Sequence, residues 1–111
     1  MIETIVSDYL KEKLRIPVMT EEPTGKIDSY IVIEKTGSGE KDKIDSATLA
    51  IKSYGKSLYE AAMLNEKVKK VIGDITDLND ISSVKLNSDY NYTDTARKKY
   101  RYQAVFDFVY F

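Results

Sequence analysis

The stretch "KKYRYQAVFDFVYF", residues 98–111, decides the fold. Its side chains alternate. Tyr100, Tyr102, Ala104, Phe106, Phe108 and Tyr110 fall on one side of an extended chain, and Lys99, Arg101, Gln103, Val105, Asp107 and Val109 fall on the other. Successive side chains of a strand point to opposite faces, so this run is a strand with an apolar even face and a mixed odd face. The even face belongs in a core. Truncating Phe106 to alanine is therefore expected to cost about 3–5 kcal/mol, and truncating Phe111 far less. The odd face stays open once other elements cover the even one. Val105, Val109 and Phe111, set among Arg101, Gln103 and Asp107, make it a candidate partner surface.

Upstream, "ISSVKLNSDYNY" (81–92) gives a second strand, with Val84 and Leu86 facing away from Lys85 and Asn87. "TDTAR" turns the chain between the two. "YIVIEK" (30–35) is β-branched and aromatic, a third strand. "IDSATLAIKSYG" (44–55) is a fourth, with Ala47, Leu49 and Ile51 on one face. The polar, glycine-bearing "TGSGEKDK" (36–43) between them is expected to be a flexible loop, and such loops often contact partners. Gly37, Ser38, Gly39, Glu40, Lys41 and Asp42 are therefore candidate interface residues.

Two helices complete the chain. Ile2, Ile5, Val6, Tyr9, Leu10 and Leu14 recur at helical spacing, and Pro17 ends that helix by pushing Ile16 out of the α region. A short edge strand is expected at Val18–Glu21. In "SLYEAAMLNEKVKKVIG" (57–73), Ser57 and Glu60 form a capping box. Leu58, Ala61, Leu64, Val68, Val71 and Ile72 make the buried stripe, and Gly73 is expected to stop the helix in the left-handed conformation. The order α-(β)-β-β-α-β-β leaves little room for parallel crossovers. It predicts a single α+β domain over residues 1–111, with two helices on one face of a mainly antiparallel sheet of four to five strands.

Composition narrows the chemistry. The 111 residues hold no cysteine and no histidine. Disulfides, thiolate chemistry, Ser/His and Cys/His pairs and the commonest metal ligand are excluded. The net charge of −1 offers no whole-molecule attraction to nucleic acid or acidic membranes. No apolar run approaches the ~20 residues a membrane helix needs, and the N-terminus has no signal-peptide pattern.

The remaining motifs are weak. Asp74, Asp77 and Asp80 of "DITDLND" lack the alternate spacing, central glycine and closing glutamate of a calcium loop, and are expected to cap amides in a solvated turn. Glu21 and Glu22 are expected to be exposed edge charges rather than an acid/base pair. "TGSGEK" begins like a phosphate loop, but a strand rather than a helix follows it. "RKKYRY" mixes cations with aromatics, as single-strand nucleic-acid platforms do, but alternation puts Tyr100 and Tyr102 on the face opposite Lys99 and Arg101.

Taken as a whole, "IPVMTEEP", "YIVIEKTG", "IDSATLAIKSYGKSLYEAAMLNEKVKKVI" and the closing "VKLNSDYNYTDTARKKYRYQAVFDFVY" resemble the tail-terminator (tail-completion) proteins of long-tailed bacteriophages and prophages. The resemblance spans nearly the full chain and is architectural rather than chemical. It implies a structural virion protein assembled in the bacterial host cytoplasm. Such proteins form hexameric rings that cap the tail tube, stop its polymerisation and join it to the head-completion or connector protein. The family implies no catalytic residue, cofactor or metal, and DNA passing through the lumen without specific binding. Glu40 and Asp42 would line that lumen if their loop points inward. A neck or head-closure adaptor, a small single-strand nucleic-acid-binding module, and a small enzyme working with carboxylate, Tyr or Lys groups are the alternatives.

Overall fold

The computed structural model describes residues 1–111. Helix α1 (Ile2–Leu14) turns Ile2, Val6, Tyr9 and Leu10 inward. It stops at Arg15, two residues before Pro17. Arg15 takes the left-handed conformation (φ 55°) and donates its amide to the Lys11 carbonyl. Strand β1 (Val18–Met19) follows, then β2 (Tyr30–Lys41), β3 (Ile44–Gly55), α2 (Leu58–Gly73), one 3-10 turn (Ile75–Asp77), β4 (Ile81–Asn91) and β5 (Tyr100–Tyr110). The sheet runs β1-β2-β3-β5-β4. The short β1 pairs in parallel with Ile31 and Val32, and every other pairing is antiparallel. This is the two-layer α+β arrangement expected from the element order.

The core lies between the helices and one sheet face. Ile31 and Ile33 of β2, Ala47, Leu49 and Ile51 of β3, and Ala104, Phe106 and Phe108 of β5 meet the stripes of α1 and α2 in a single cluster. The even face of β5 thus enters the core as alternation required, although Tyr100 and Tyr102, at its start, stay outside that cluster. The Tyr9 hydroxyl donates to the Val71 carbonyl at 2.9 Å and ties α1 to α2. Burial holds that phenol above its usual pKa, with Asp74 adding to the shift.

The expected loop at 36–43 is corrected. Residues 36–41 continue β2, and only Asp42 and Lys43 turn the chain. Both carry positive φ (53° and 65°), the backbone signature of a two-residue type I′ hairpin turn. Glycines and charges disfavour a strand, but β3 is already held by β5 and templates the pairing as far as Lys41↔Ile44. Thr36 is an extra residue between the Lys35↔Leu49 and Gly37↔Thr48 pairs, a β-bulge.

Smaller corrections follow in α2. Leu58, expected in the stripe, is exposed, while Asn65 is buried in it. The capping box is half formed. The Glu60 amide donates to the Ser57 hydroxyl at 3.1 Å, but the Glu60 carboxylate accepts from that hydroxyl rather than from the cap amide. Gly73 is not left-handed. No glycine has positive φ, and the helix passes through Asp74 (φ −98°) directly into the 3-10 turn, so no chain reversal demands that conformation. The Asp74 side chain caps nothing. Backbone bonds from Asp77 to Asp74 and from Leu78 to Ile75 make the turn, with Ile75 buried beneath it. Gly55 has a steric reason. A Cβ there would stand 2.6 Å from the Ala61 nitrogen, where β3 ends against the start of α2.

Candidate assembly surface

The odd-numbered residues of β5 look out on the sheet face away from the helices. That face has two halves built on different chemistry.

In the first half, Tyr30 and Tyr54 stack with ring centroids 4.3 Å apart and planes 12° from parallel. With Val32 they form a small buried cluster separate from the main core, and Met19 packs against it. Above this pair lies the irregular segment 20–29. Its Glu22 accepts from the Tyr54 hydroxyl at 2.8 Å and from an Arg101 guanidinium nitrogen at 3.3 Å, with Lys99 at 3.5 Å and Arg97 at 4.0 Å. The Tyr54 hydrogen bond, joined by the attraction of Lys99 and Arg97, holds the Glu22 carboxyl below its ordinary pKa. Burial, reinforced by the bond to Glu22, pushes the Tyr54 phenol up to about 12. Glu22 is not the free edge charge expected from the sequence. Only 32% of its side chain is exposed, and it organises this end of the sheet.

Arg101 is therefore not available to a partner. Its guanidinium lies 4.5 Å from the Tyr92 ring centroid and 5.7 Å from that of Tyr54, and 15% of its side chain is exposed. Gln103 is buried and donates to the Tyr90 hydroxyl. The expected separation of cations from aromatics also changes. Tyr100 and Tyr102 do lie away from Arg101, but Tyr90 and Tyr92 of the preceding hairpin arm share its face. A bulge at Asn87 brings them there: Leu86 pairs with Phe106, yet Ser88 already pairs with Val105 and Tyr90 with Gln103.

The same bulge turns Asp89 toward α2. There it accepts from the Asn65 amide at 2.6 Å and pairs with Lys69, whose pKa rises through its bonds to Asp89 and then Glu66. Asn65 was legible as a stripe position, four residues after Ala61 and three before Val68. No sequence signal marked the bulge that brings Asp89 to it.

The second half is open. Val105 and Val109 are half-buried there and frame Asp107. Asp107 accepts from the Thr48 hydroxyl at 2.7 Å and the Asn87 amide at 3.1 Å. Those bonds, Thr48 first, hold its pKa below the usual carboxylate value. Gly37, Gly39, Ser46 and Thr48 floor a shallow trough beside Val109 that continues past Ile44 toward Glu40, Lys41 and Asp42. Ser38 lines the trough too, although its pairing with Ala47 places it on the helix-side register. Phe111 follows β5. Its amide donates to the Asp80 carbonyl at 3.1 Å, while the residue is 73% exposed.

The candidate residues thus divide. Gly37 to Asp42 and Val109 gather around one open trough, with Val105 beyond Asp107 on the same face and Phe111 next to the end of β5. Arg101 and Gln103 belong to the closed half. On the opposite layer, Tyr59 and Met63 of α2 line an open hollow with Leu14 and Ile16, a second exposed apolar group in which Tyr59 is 73% exposed. No family model matches this chain, and no curated protein matches it.

Proposed function

We propose that this chain is a ring-forming structural protein of the phage tail-terminator type, capping a tail tube and joining it to the head connector. One observation carries the reading. The β2–β3 hairpin is a twelve-residue pair of strands whose outer part, beyond the bulge at Thr36, bears small and polar residues and exposed Ile44. Little of it serves the main core, to which only Ala47 contributes beyond the bulge. A stable outer arm of this kind, with Val105, Val109 and Phe111 beside it, suits contact between subunits.

Closed rings use heterologous contacts, in which two unlike patches of each subunit meet. The trough on the sheet layer and the Tyr59–Met63 group on the helix layer are two unlike patches on opposite sides of the domain that could serve such a contact. With the loop corrected to a strand arm, Glu40 and Asp42 stand at or beside its tip. They line a lumen only if the arm points toward the ring axis.

The test is functional. Purified protein added to polymerising tail-tube protein is expected to shorten the tubes and leave a ring density at one end in electron micrographs. Unchanged tube lengths and bare ends would refute the reading.

A further inference from the structure

Residues 20–29 are bonded unlike the rest of the fold. None of them takes part in a backbone–backbone hydrogen bond, and apart from Glu22 and Pro23 all are exposed. Three side-chain fastenings hold the segment down. Glu22 sits among Tyr54, Arg101, Lys99 and Arg97. Asp28 reaches Lys56 at 3.9 Å with both side chains mostly exposed, and the Ser29 hydroxyl donates to the Tyr54 carbonyl at 3.4 Å. Exposed ion pairs contribute little, and a 3.4 Å hydrogen bond is weak. Glu22 is the one fastening with several charged donors on a partly enclosed carboxylate.

Beneath the segment is a cleft of about 320 Å³ between Thr24–Asp28 and the stacked tyrosines, with Lys99 and Tyr100 on its wall. The tyrosine cluster shares no member with the main core, so uncovering it leaves the packing of helices on sheet intact. Segments with few buried contacts and no backbone bonds open at a free energy below that of global unfolding.

We infer that residues 20–29 form a strap that opens and closes over the Tyr30–Tyr54 pair as an independent unit, with Glu22 as its latch. Closed, the strap leaves a polar, ion-paired end on the sheet. Open, it extends the exposed sheet face by two stacked phenol rings, next to the half that is already bare.

The absence of cysteine permits a clean test. Single-cysteine variants Tyr30→Cys, under the strap, and Ile51→Cys, in the main core, are labelled with a thiol reagent across sub-denaturing urea. The thiol at position 30 is expected to react at a rate nearly independent of urea, and that at position 51 only through global unfolding with its full urea dependence. Adding Glu22→Ala is expected to speed labelling at position 30 by ~10-fold, the loss of a charged hydrogen bond, while the rate there keeps its shallow urea dependence. Equal urea dependence at the two positions, or no acceleration by Glu22→Ala, would overturn the inference. Should Tyr30→Cys fail to fold, trypsin cleavage after Lys26 in the wild-type chain and in Glu22→Ala reads the same opening. Faster nicking at a rate nearly independent of sub-denaturing urea supports the latch, and equal nicking rates overturn it.

Discussion

The two faces of this sheet are closed by different physics. The helix face is sealed mainly by aliphatic and aromatic side chains, from Ile2 and Leu10 to Phe106 and Phe108, with Asn65 and the Tyr9 hydroxyl among its few polar groups. Its stabilisation scales with apolar area and has no directional requirement. The other face is closed over half its length by one tyrosine pair and one carboxylate, and left bare over the rest. A face closed by packing resists opening in parts, because its elements share one core. A face closed by a latch opens locally. The contrast locates the fold's rigidity on the helix side, and leaves half of the sheet side bare.

Perturbations should rank accordingly. The largest loss is expected from Phe106→Ala, a truncation inside the helix-side core, at about 3–5 kcal/mol in urea unfolding. A loss below that of any open-face variant would break the contrast. Gly55→Ala comes next. Its methyl would meet backbone at 2.6 Å, and the strand end and helix start must separate to admit it, at about 1–3 kcal/mol.

On the latched half, Tyr54→Phe removes the hydroxyl that donates to Glu22 and keeps the ring stack. About 1 kcal/mol is expected, read by the same unfolding assay. Acid tests the same half without mutation. The folded-state pKa of Glu22 is depressed by Tyr54 of β3, Lys99 and Arg97, with Arg101 also bonded to it. A depressed carboxyl stabilises the fold fully above its unfolded value, and that contribution fades as pH falls through the lower folded value. Asp107, depressed by Thr48 and Asn87, adds in the same direction. Stability is thus expected to fall below pH ~4.5, and the fall should shrink in Glu22→Gln. An unchanged acid profile in that variant would remove Glu22 from the account. The smallest change belongs to Phe111→Ala, within about 0.5 kcal/mol for the monomer, since its side chain is not part of the core. Its effect should appear in assembly instead.

The helix side was legible in the sequence because it obeys periodicity. Spacing of 3.6 or 2 found the stripes of α1 and α2 and the even face of β5, except for Leu58, which is exposed, and Tyr100 and Tyr102, which stay outside the core cluster. The open side was not. Residues 36–41 look like a loop by composition, and become a strand only because β3 and β5 beyond them form a template. The turn that makes this possible uses Asp42 and Lys43 at positive φ, with no glycine to announce it. The bulge at Asn87 exchanges the faces of Asp89 and Tyr90, and nothing in "KLNSDYN" predicts an extra residue there. Glu22 illustrates the same limit. Its four donors come from positions 54, 97, 99 and 101, and only the tertiary fold brings them together. Of the candidate surface, Val105, Val109 and Phe111 were placed by alternation. Arg101 and Gln103 satisfied the same alternation but are engaged by Glu22, Tyr54, Tyr92 and Tyr90.

We propose that the bare half of the sheet and its arm serve assembly into a closed ring. Sedimentation velocity and native mass spectrometry over a wide concentration range, with and without tail-tube protein, test it most directly. The expected result is one discrete oligomer of six copies that grows at the expense of monomer and is weakened by Phe111→Ala without loss of fold. A strictly monomeric protein at every concentration, unaffected by tube protein, would contradict it.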